Sequence, residues 1–272
     1  KKTGLHGPWH LLQFTNPNNL QLCLYEKGGT KQFKRFHCRH IHNNTDPVPD
    51  FNQCFKHQPK YQNPNDNNNN NNGKAHSVEK AVFLRDPLDR FLSGFLDKCI
   101  RHKDNVDHCE PESLLYKNIT ASPVSEFLIP KEKEKRKFFE LYVDTIPLKW
   151  NMHFMPQSLY CGGLYRDIEN YKFVGSMGKD LYRDLGRFLR QYPTLEPAME
   201  SIFKVSLQNE KTKQVNVKGV ETGAAGQVLE YYTPHTVRRV LEYYAIDYVL
   251  LKLPIPEWAE EMLQQEEANV IY

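Results

Sequence analysis

Five residues, KAVFL at 80–84, run without a break into RDPLDRFLSGFLDKCIR. That junction constrains the fold more than any other stretch. KAVFL is short and apolar, which predicts a strand. In the residues after it, Leu88, Phe91, Leu92, Phe95 and Leu96 recur at helical spacing and share one face. Asp86 is placed to cap that helix, and Pro87 suits its first turn. The same order of strand, turn and helix is read at 21–35, QLCLYEKGGTKQFKR, where LCLY meets a Gly-Gly turn and a basic stretch with helical potential. YKFVGS at 171–176 supplies a third strand, followed by the amphipathic DLYRDLGRFLRQY. TPHTVRRVLEYYAIDYVLL, 233–251, opens with a Thr cap and Pro and reads as one or two helices, and EWAEEMLQQEE, 257–267, as a terminal one. Strands alternating with helices predict an α/β fold with a central parallel sheet flanked by helices. In such sheets a ligand sits at the carboxyl ends of the strands, where both EKGGT and RDPLDR fall.

The chain has 272 residues, enough for a substantial core, and 39% of them are hydrophobic. It reads as a single domain, 1–272, interrupted by an Asn-rich insertion around 62–74 (NPNDNNNNNNG), a composition that cannot build a core and predicts disorder. The net charge of +3 is too mild to point to nucleic acid. No apolar run of about 18 residues is present, so no membrane span is expected, and no signal peptide is read. The chain opens at KKTGLHGPWH, without Met, which leaves room for a membrane anchor upstream.

The six cysteines form no close CxxC pair, so a zinc site is not expected. Cys99 and Cys109 flank a polar loop and can close it as a disulfide; the plain alternative is that all six are reduced. Sequons at Asn43 and Asn118, with the even cysteine count, favour a secretory-pathway lumen over cytosol.

Two stretches carry the parts of an anion site. EKGGT brings Lys27, two glycines, the Thr30 hydroxyl and a helix start together, and free N–H groups at a helix start attract phosphate. The Walker pattern G-x-x-x-x-G-K-[ST] is absent, and Gly-Gly is first of all a turn signal. In RDPLDRFLSGF, Arg85 leaves the strand end with a planar fork suited to phosphate oxygens, and Ser93 follows two helical turns on. Taken locally, Arg85 can simply pair with Asp86 or Asp89.

Together the two stretches resemble the donor-binding elements of sulfotransferases, which use 3'-phosphoadenosine 5'-phosphosulfate (PAPS) and release 3'-phosphoadenosine 5'-phosphate (PAP). EKGGTKQF is similar to the family's 5'-phosphosulfate loop, and FLRDPLDRFLSGF to its 3'-phosphate element. The resemblance is to the Golgi carbohydrate branch, which includes the heparan 2-O and chondroitin 4-O enzymes. NMHFMPQSLYC (151–161), YKFVGSMGKDLYRDLGRFL and YYTPHTVRRVLEYYAIDYVLL extend it in order over most of residues 20–251, with gaps at the insertion and at 100–150. The chain departs from the family pattern at Glu26, where proline is usual, and at Lys31, where Thr or Ser is frequent.

The resemblance implies a P-loop-like sulfotransferase fold and a set of roles. Lys27 would meet the leaving oxygen and the 5'-phosphate. Gly28, Gly29 and Thr30 would cradle the same group, with added charge from Lys31. Arg85 and Ser93 would hold the 3'-phosphate, and no metal is needed. The Gly-rich stretch at 216–226 would close over the donor through Lys218 or Thr222. Among 11 histidines, His153 is the first choice for the general base, ahead of His40, His42 and His76. KEKEKRK, 131–137, reads as a solvated helix face or as a contact for an anionic glycan, and Tyr231 and Tyr232 as core or as pocket wall. The implied acceptor is a carbohydrate, in the Golgi lumen, with membrane attachment only through an upstream anchor. Two other readings share these features: a P-loop kinase, disfavoured by the missing Walker lysine and magnesium carboxylate, and a non-catalytic glycan-binding protein.

Overall fold

The computed structural model describes residues 11–14, 19–42, 78–101, 135–145, 152–208 and 223–270. Its principal elements, in chain order, are β1 (Leu11–Phe14), β2 (Leu20–Cys23), α1 (Thr30–Ile41), β3 (Lys80–Leu84), α2 (Pro87–Phe95), α3 (Lys135–Thr145), α4 (Leu164–Asp167), β4 (Phe173–Ser176), α5 (Leu181–Gln191), α6 (Glu196–Phe203), α7 (Val228–Tyr231), α8 (Pro234–Tyr243), α9 (Ala245–Leu250) and α10 (Glu257–Val270). They fall into two compact units, Lys1–Leu84 with Tyr160–Val217, and Arg85–Leu159 with Lys218–Tyr272. The Asn-rich stretch, both sequons, His76, Lys218, Thr222, Cys109 and residues 131–134 lie outside the described residues.

The first unit is built on a four-stranded sheet in the order β1-β2-β3-β4. β2, β3 and β4 are parallel, with Leu22 opposite Ala81 and Val82 opposite Val174. These are the three strands expected from the sequence. β1 joins antiparallel at the edge, with Phe14 opposite Leu20, so the α/β sheet is mixed rather than wholly parallel. A short link suffices for an antiparallel neighbour, whereas the parallel pairs need crossovers. In β3, Ala81, Val82, Phe83 and Leu84 are all buried, as a strand covered on both faces requires. Phe33 and Phe36 of α1, Phe83 of β3, Phe173 of β4, Phe188 of α5 and Phe203 of α6 belong to one core. Phe33 meets Phe83 at 4.8 Å between ring centres and Phe203 at 5.2 Å. Gly175 makes room for this packing, because a Cβ there would lie 2.7 Å from the Phe83 ring. Buried Asp184 of α5 accepts the N–H of Ser176 at 2.8 Å and fixes the end of β4. A disulfide joins Cys23, the last residue of β2, to Cys161, with Cα atoms 6.0 Å apart. Cys38 and Cys99 are disulfide-bonded as well.

The second unit is helical. Asp86 caps α2 through the N–H of Asp89 at 2.8 Å, and Pro87 occupies the first turn, as expected. Leu88, Phe91, Leu92 and Phe95 are fully buried with Phe139 and Tyr142 of α3, Val237 and Val240 of α8, and Ala259 of α10. Thr233 and Thr236 form the capping box that starts α8. The stretch 233–251 divides into two helices, α8 and α9, on either side of Tyr244. Tyr231 and Tyr232 are core residues, and the Tyr232 hydroxyl donates to the Leu88 carbonyl at 2.7 Å.

Candidate active site

In the first unit the candidate residues lie on the turn between β2 and α1. Tyr25 holds that turn in place. Its ring is buried, and its hydroxyl donates to the Phe83 carbonyl of β3 at 2.7 Å. Its own carbonyl accepts the Gly28 N–H at 3.1 Å and the Thr30 hydroxyl at 2.7 Å. Gly28 passes so close over the ring that any Cβ would lie 2.5 Å from it. The turn places Lys27 at φ 66 and Gly29 at φ 73, both left-handed. Gly29 adopts that region freely, whereas a lysine there is strained by roughly 1–2 kcal/mol. Strained non-glycine residues cluster at functional sites, and Asn19, Cys161, Lys204 and Lys252 share this conformation with Lys27.

Gly29 is the N-cap of α1 and offers no side-chain cap. Its carbonyl accepts the N–H groups of Gln32 and Phe33, and the first turn contains no acidic residue. The amides ahead of Gln32 therefore belong to the uncapped end of a twelve-residue helix, where the dipole is positive. Lys27, Gly28, Gly29, Thr30 and Lys31 are thus brought together. The Thr30 hydroxyl is engaged with Tyr25 as donor, and its oxygen retains acceptor capacity alone. Lys31 is exposed on the first turn of α1.

His40 and His42 lie at the opposite end of α1, about 16 Å along the axis from its start. The His40 ring packs on Phe14 at 5.5 Å. His37, which sequence reasoning did not single out, is buried with its Nε2 2.8 Å from the Gln13 carbonyl, and burial lowers its pKa to about 4. It is a neutral structural histidine.

In the second unit Arg85 and Ser93 are neighbours. Arg85 Nη1 donates to Ser93 Oγ at 3.2 Å, across the eight-residue interval seen in the sequence. Arg85 Nε pairs with Asp89 at 2.8 Å, which aims the guanidinium along the first turns of α2. Of the two local partners considered for Arg85, Asp89 is the one engaged, while Asp86 receives the Tyr248 hydroxyl at 2.9 Å. Burial raises the Asp86 pKa to about 6. The Arg85 backbone is gripped by Gln157: its N–H donates to Oε1 at 3.3 Å, and its carbonyl accepts from Nε2 at 2.8 Å. Asp247, wholly buried in α9, accepts the N–H groups of Gln157 and Ser158, each at 2.8 Å. Sequence reasoning gave no role to Gln157 or Asp247, and it read Asp86 as a helix cap without its second donor, Tyr248. The available hint was a lone aspartate inside the apolar AIDYVL, since buried carboxylates are almost always hydrogen-bonded.

His153 is 7% exposed. The next residue, Phe154, packs on Phe91 at 5.2 Å and lies so near α2 that a Cβ on Gly94 would be 2.8 Å from its ring. Tyr244 donates to the Phe154 carbonyl at 2.5 Å. The backbone beside His153 is therefore anchored at Phe154. Among the described residues, no group of three or more His, Cys, Asp or Glu side chains is placed to hold a metal ion, and no helix is long and apolar enough to cross a membrane.

A strand-to-helix turn with a strained lysine and uncapped helix amides carries the parts of an anion site. The chain belongs to the sulfotransferase family, whose model matches residues 13–254. It is 28% identical over 186 residues to "Uncharacterized protein C18B2.2" of Caenorhabditis elegans, covering 65% of this chain and 48% of that one. It is 24% identical over 185 residues to "Carbohydrate sulfotransferase 9" of Homo sapiens, covering 67% of this chain and 39% of that one. The chain thus spans less than half the length of these relatives. No solved structure matches it.

Proposed function

We propose that the protein transfers a sulfuryl group from PAPS to a hydroxyl of a carbohydrate acceptor, with PAP as the second product. The observation that carries the reading is Lys27, held in a strained conformation directly before the uncapped amides of α1. A cation and free N–H groups at one turn suit a phosphate oxygen that gains charge as its bond to sulfur breaks. Family membership supports the transferase chemistry, and the relative named as a carbohydrate sulfotransferase supports the acceptor class.

In this reading Lys27 meets the bridging oxygen and the 5'-phosphate, with the amides of Gly29 and Thr30 and the charge of Lys31 beside it; the Gly28 N–H, expected from the sequence to join them, is donated to the Tyr25 carbonyl and shapes the turn instead. Arg85 and Ser93 take the 3'-phosphate, as the fixed Arg85–Ser93 pair suits. The acceptor oxygen bonds to sulfur as the sulfur–oxygen bond to the 5'-phosphate breaks. The acceptor proton passes to a base, His153, and Thr222 contributes to the donor site from its Gly-rich stretch. No metal is required. We treat the whole chain as one catalytic domain, because it passes between the two compact units three times. Disulfides suit an oxidising compartment, and the reading places the protein in the Golgi lumen or another secretory compartment, with any anchor outside this sequence.

The test is transfer from PAPS to a panel of neutral and anionic glycans, followed by mass spectrometry. Sulfated product is expected, with turnover reduced roughly a hundredfold or more in His153→Ala. Normal turnover in that variant would remove His153 as the base. Glycan binding with no turnover in the wild type would favour a binding protein.

A further inference from the structure

Arg85 is the first residue after β3 and the first of the second unit. A residue leaving a strand has a backbone N–H and C=O that need new partners. Gln157 satisfies both with one carboxamide, accepting from the N–H at 3.3 Å and donating to the carbonyl at 2.8 Å. Its side chain thus does what a neighbouring strand would do. Gln157 is itself fully buried and is held from behind. Both oxygens of buried Asp247 accept N–H groups, from Gln157 and Ser158, so the turn Gln157–Leu159 is fixed at its first two residues. A second line of bonds reaches the same place, because Tyr248, next to Asp247, donates to the Asp86 cap of α2.

From this geometry we infer that Gln157, oriented by Asp247, is a positioning residue for Arg85 and so sets recognition of the 3'-phosphate of the donor. This rests on the PAPS reading above and adds to it the residues that place its 3'-phosphate arginine. Asp89 and Ser93 orient the guanidinium, whereas Gln157 fixes the Cα from which it projects. Losing Gln157 leaves the charge of Arg85 in place and displaces its origin. Its effect therefore appears only with a ligand that carries a 3'-phosphate.

The experiment is calorimetric titration of the full chain with PAP and, separately, with adenosine 5'-phosphate, which lacks the 3'-phosphate. Wild type, Gln157→Ala, Arg85→Ala and the double variant are compared. Gln157→Ala is expected to weaken PAP binding about tenfold, the equivalent of one or two neutral hydrogen bonds. It is expected to leave adenosine 5'-phosphate binding within about twofold of wild type and to add no further loss in the Arg85→Ala background. If the alanine variant loses its cooperative melt, Gln157→Met carries the same test, because it keeps the side-chain volume, adds no charge and has no donor for the Arg85 carbonyl. Equal loss of both nucleotides, additive losses in the double variant, or unchanged PAP affinity would each overturn the inference. A wild type that binds no PAP would overturn the donor reading itself, a result separate from any of these.

Discussion

Lys27→Gly should make the protein more stable than Lys27→Ala while both lose the donor. At φ 66 any residue with a Cβ is strained by roughly 1–2 kcal/mol, and glycine is not. Glycine loses more conformational entropy on folding, about 0.5–1 kcal/mol. The balance favours Gly over Ala by up to about 1.5 kcal/mol, centred on ~0.75 kcal/mol, the reverse of their order inside a helix or strand. Guanidinium unfolding of the two variants reads this difference as a shift in midpoint at constant slope. Both variants lack the ammonium group, and a hydrogen bond to a charged group contributes about 1.5–3 kcal/mol. PAP affinity should therefore fall roughly 10–150-fold in each. The expected pattern is a gain in stability bought with function at one position. An alanine variant as stable as the glycine variant would refute the strain argument. Wild-type PAP affinity in Lys27→Gly would refute the reason given for the strain.

Acid stability should depend on His37. Its pKa is near 4 in the folded protein against 6.5 when exposed, so the unfolded chain takes up the proton first. Its contribution is complete above about pH 6.5 and is lost as pH falls towards 4, by up to ~3 kcal/mol. His37→Gln should remove that component from the difference between the two unfolding curves, and a parallel pair of curves would contradict it. Asp86 acts in the opposite sense, its pKa being raised to about 6, so its stabilisation is greatest at low pH and is lost as pH rises through 6. The Cys23–Cys161 bond spans a sequence separation of 138, and Cys161→Ser should lower stability by about 2–5 kcal/mol; an unchanged denaturation midpoint would count against that. Gly28→Ala should weaken both stability and PAP binding, because the new Cβ would lie 2.5 Å from the Tyr25 ring. Thermal melts beside PAP titrations would show whether either is spared.

Local chemistry made much of this visible in the sequence. KAVFL announces a buried strand by its apolar run, whereas β4 within YKFVGS buries Phe173 and Gly175 and leaves Val174 exposed. Asp86-Pro87 and Thr233-Pro234 announce helix starts, because caps and N-terminal proline act within one turn. The Arg85–Ser93 contact follows from spacing along a helix. What the sequence hid is what depends on distant partners. β1 is a four-residue run whose place is set by pairing with β2, so nothing local marks it. Cysteine spacing offered a Cys99–Cys109 loop beside the alternative of six reduced thiols, and carried no hint of the Cys23–Cys161 bond; Cys99 is disulfide-bonded, and Cys109 lies outside the described residues. Gln157 meets Arg85 across 72 residues, and Asp247 meets Gln157 across 90, and a carboxamide contact leaves no periodic trace.

The central proposal is that Lys27 with its turn, and Arg85 with Ser93, each contribute to binding of the donor. Calorimetry of PAP binding to wild type, Lys27→Ala and Arg85→Ala tests it most directly. The account predicts tight binding by the wild type, weakened at least tenfold in each variant while both remain folded. A folded wild type that binds no PAP, or variants that bind it undiminished, would contradict it and leave EKGGT a turn and nothing more.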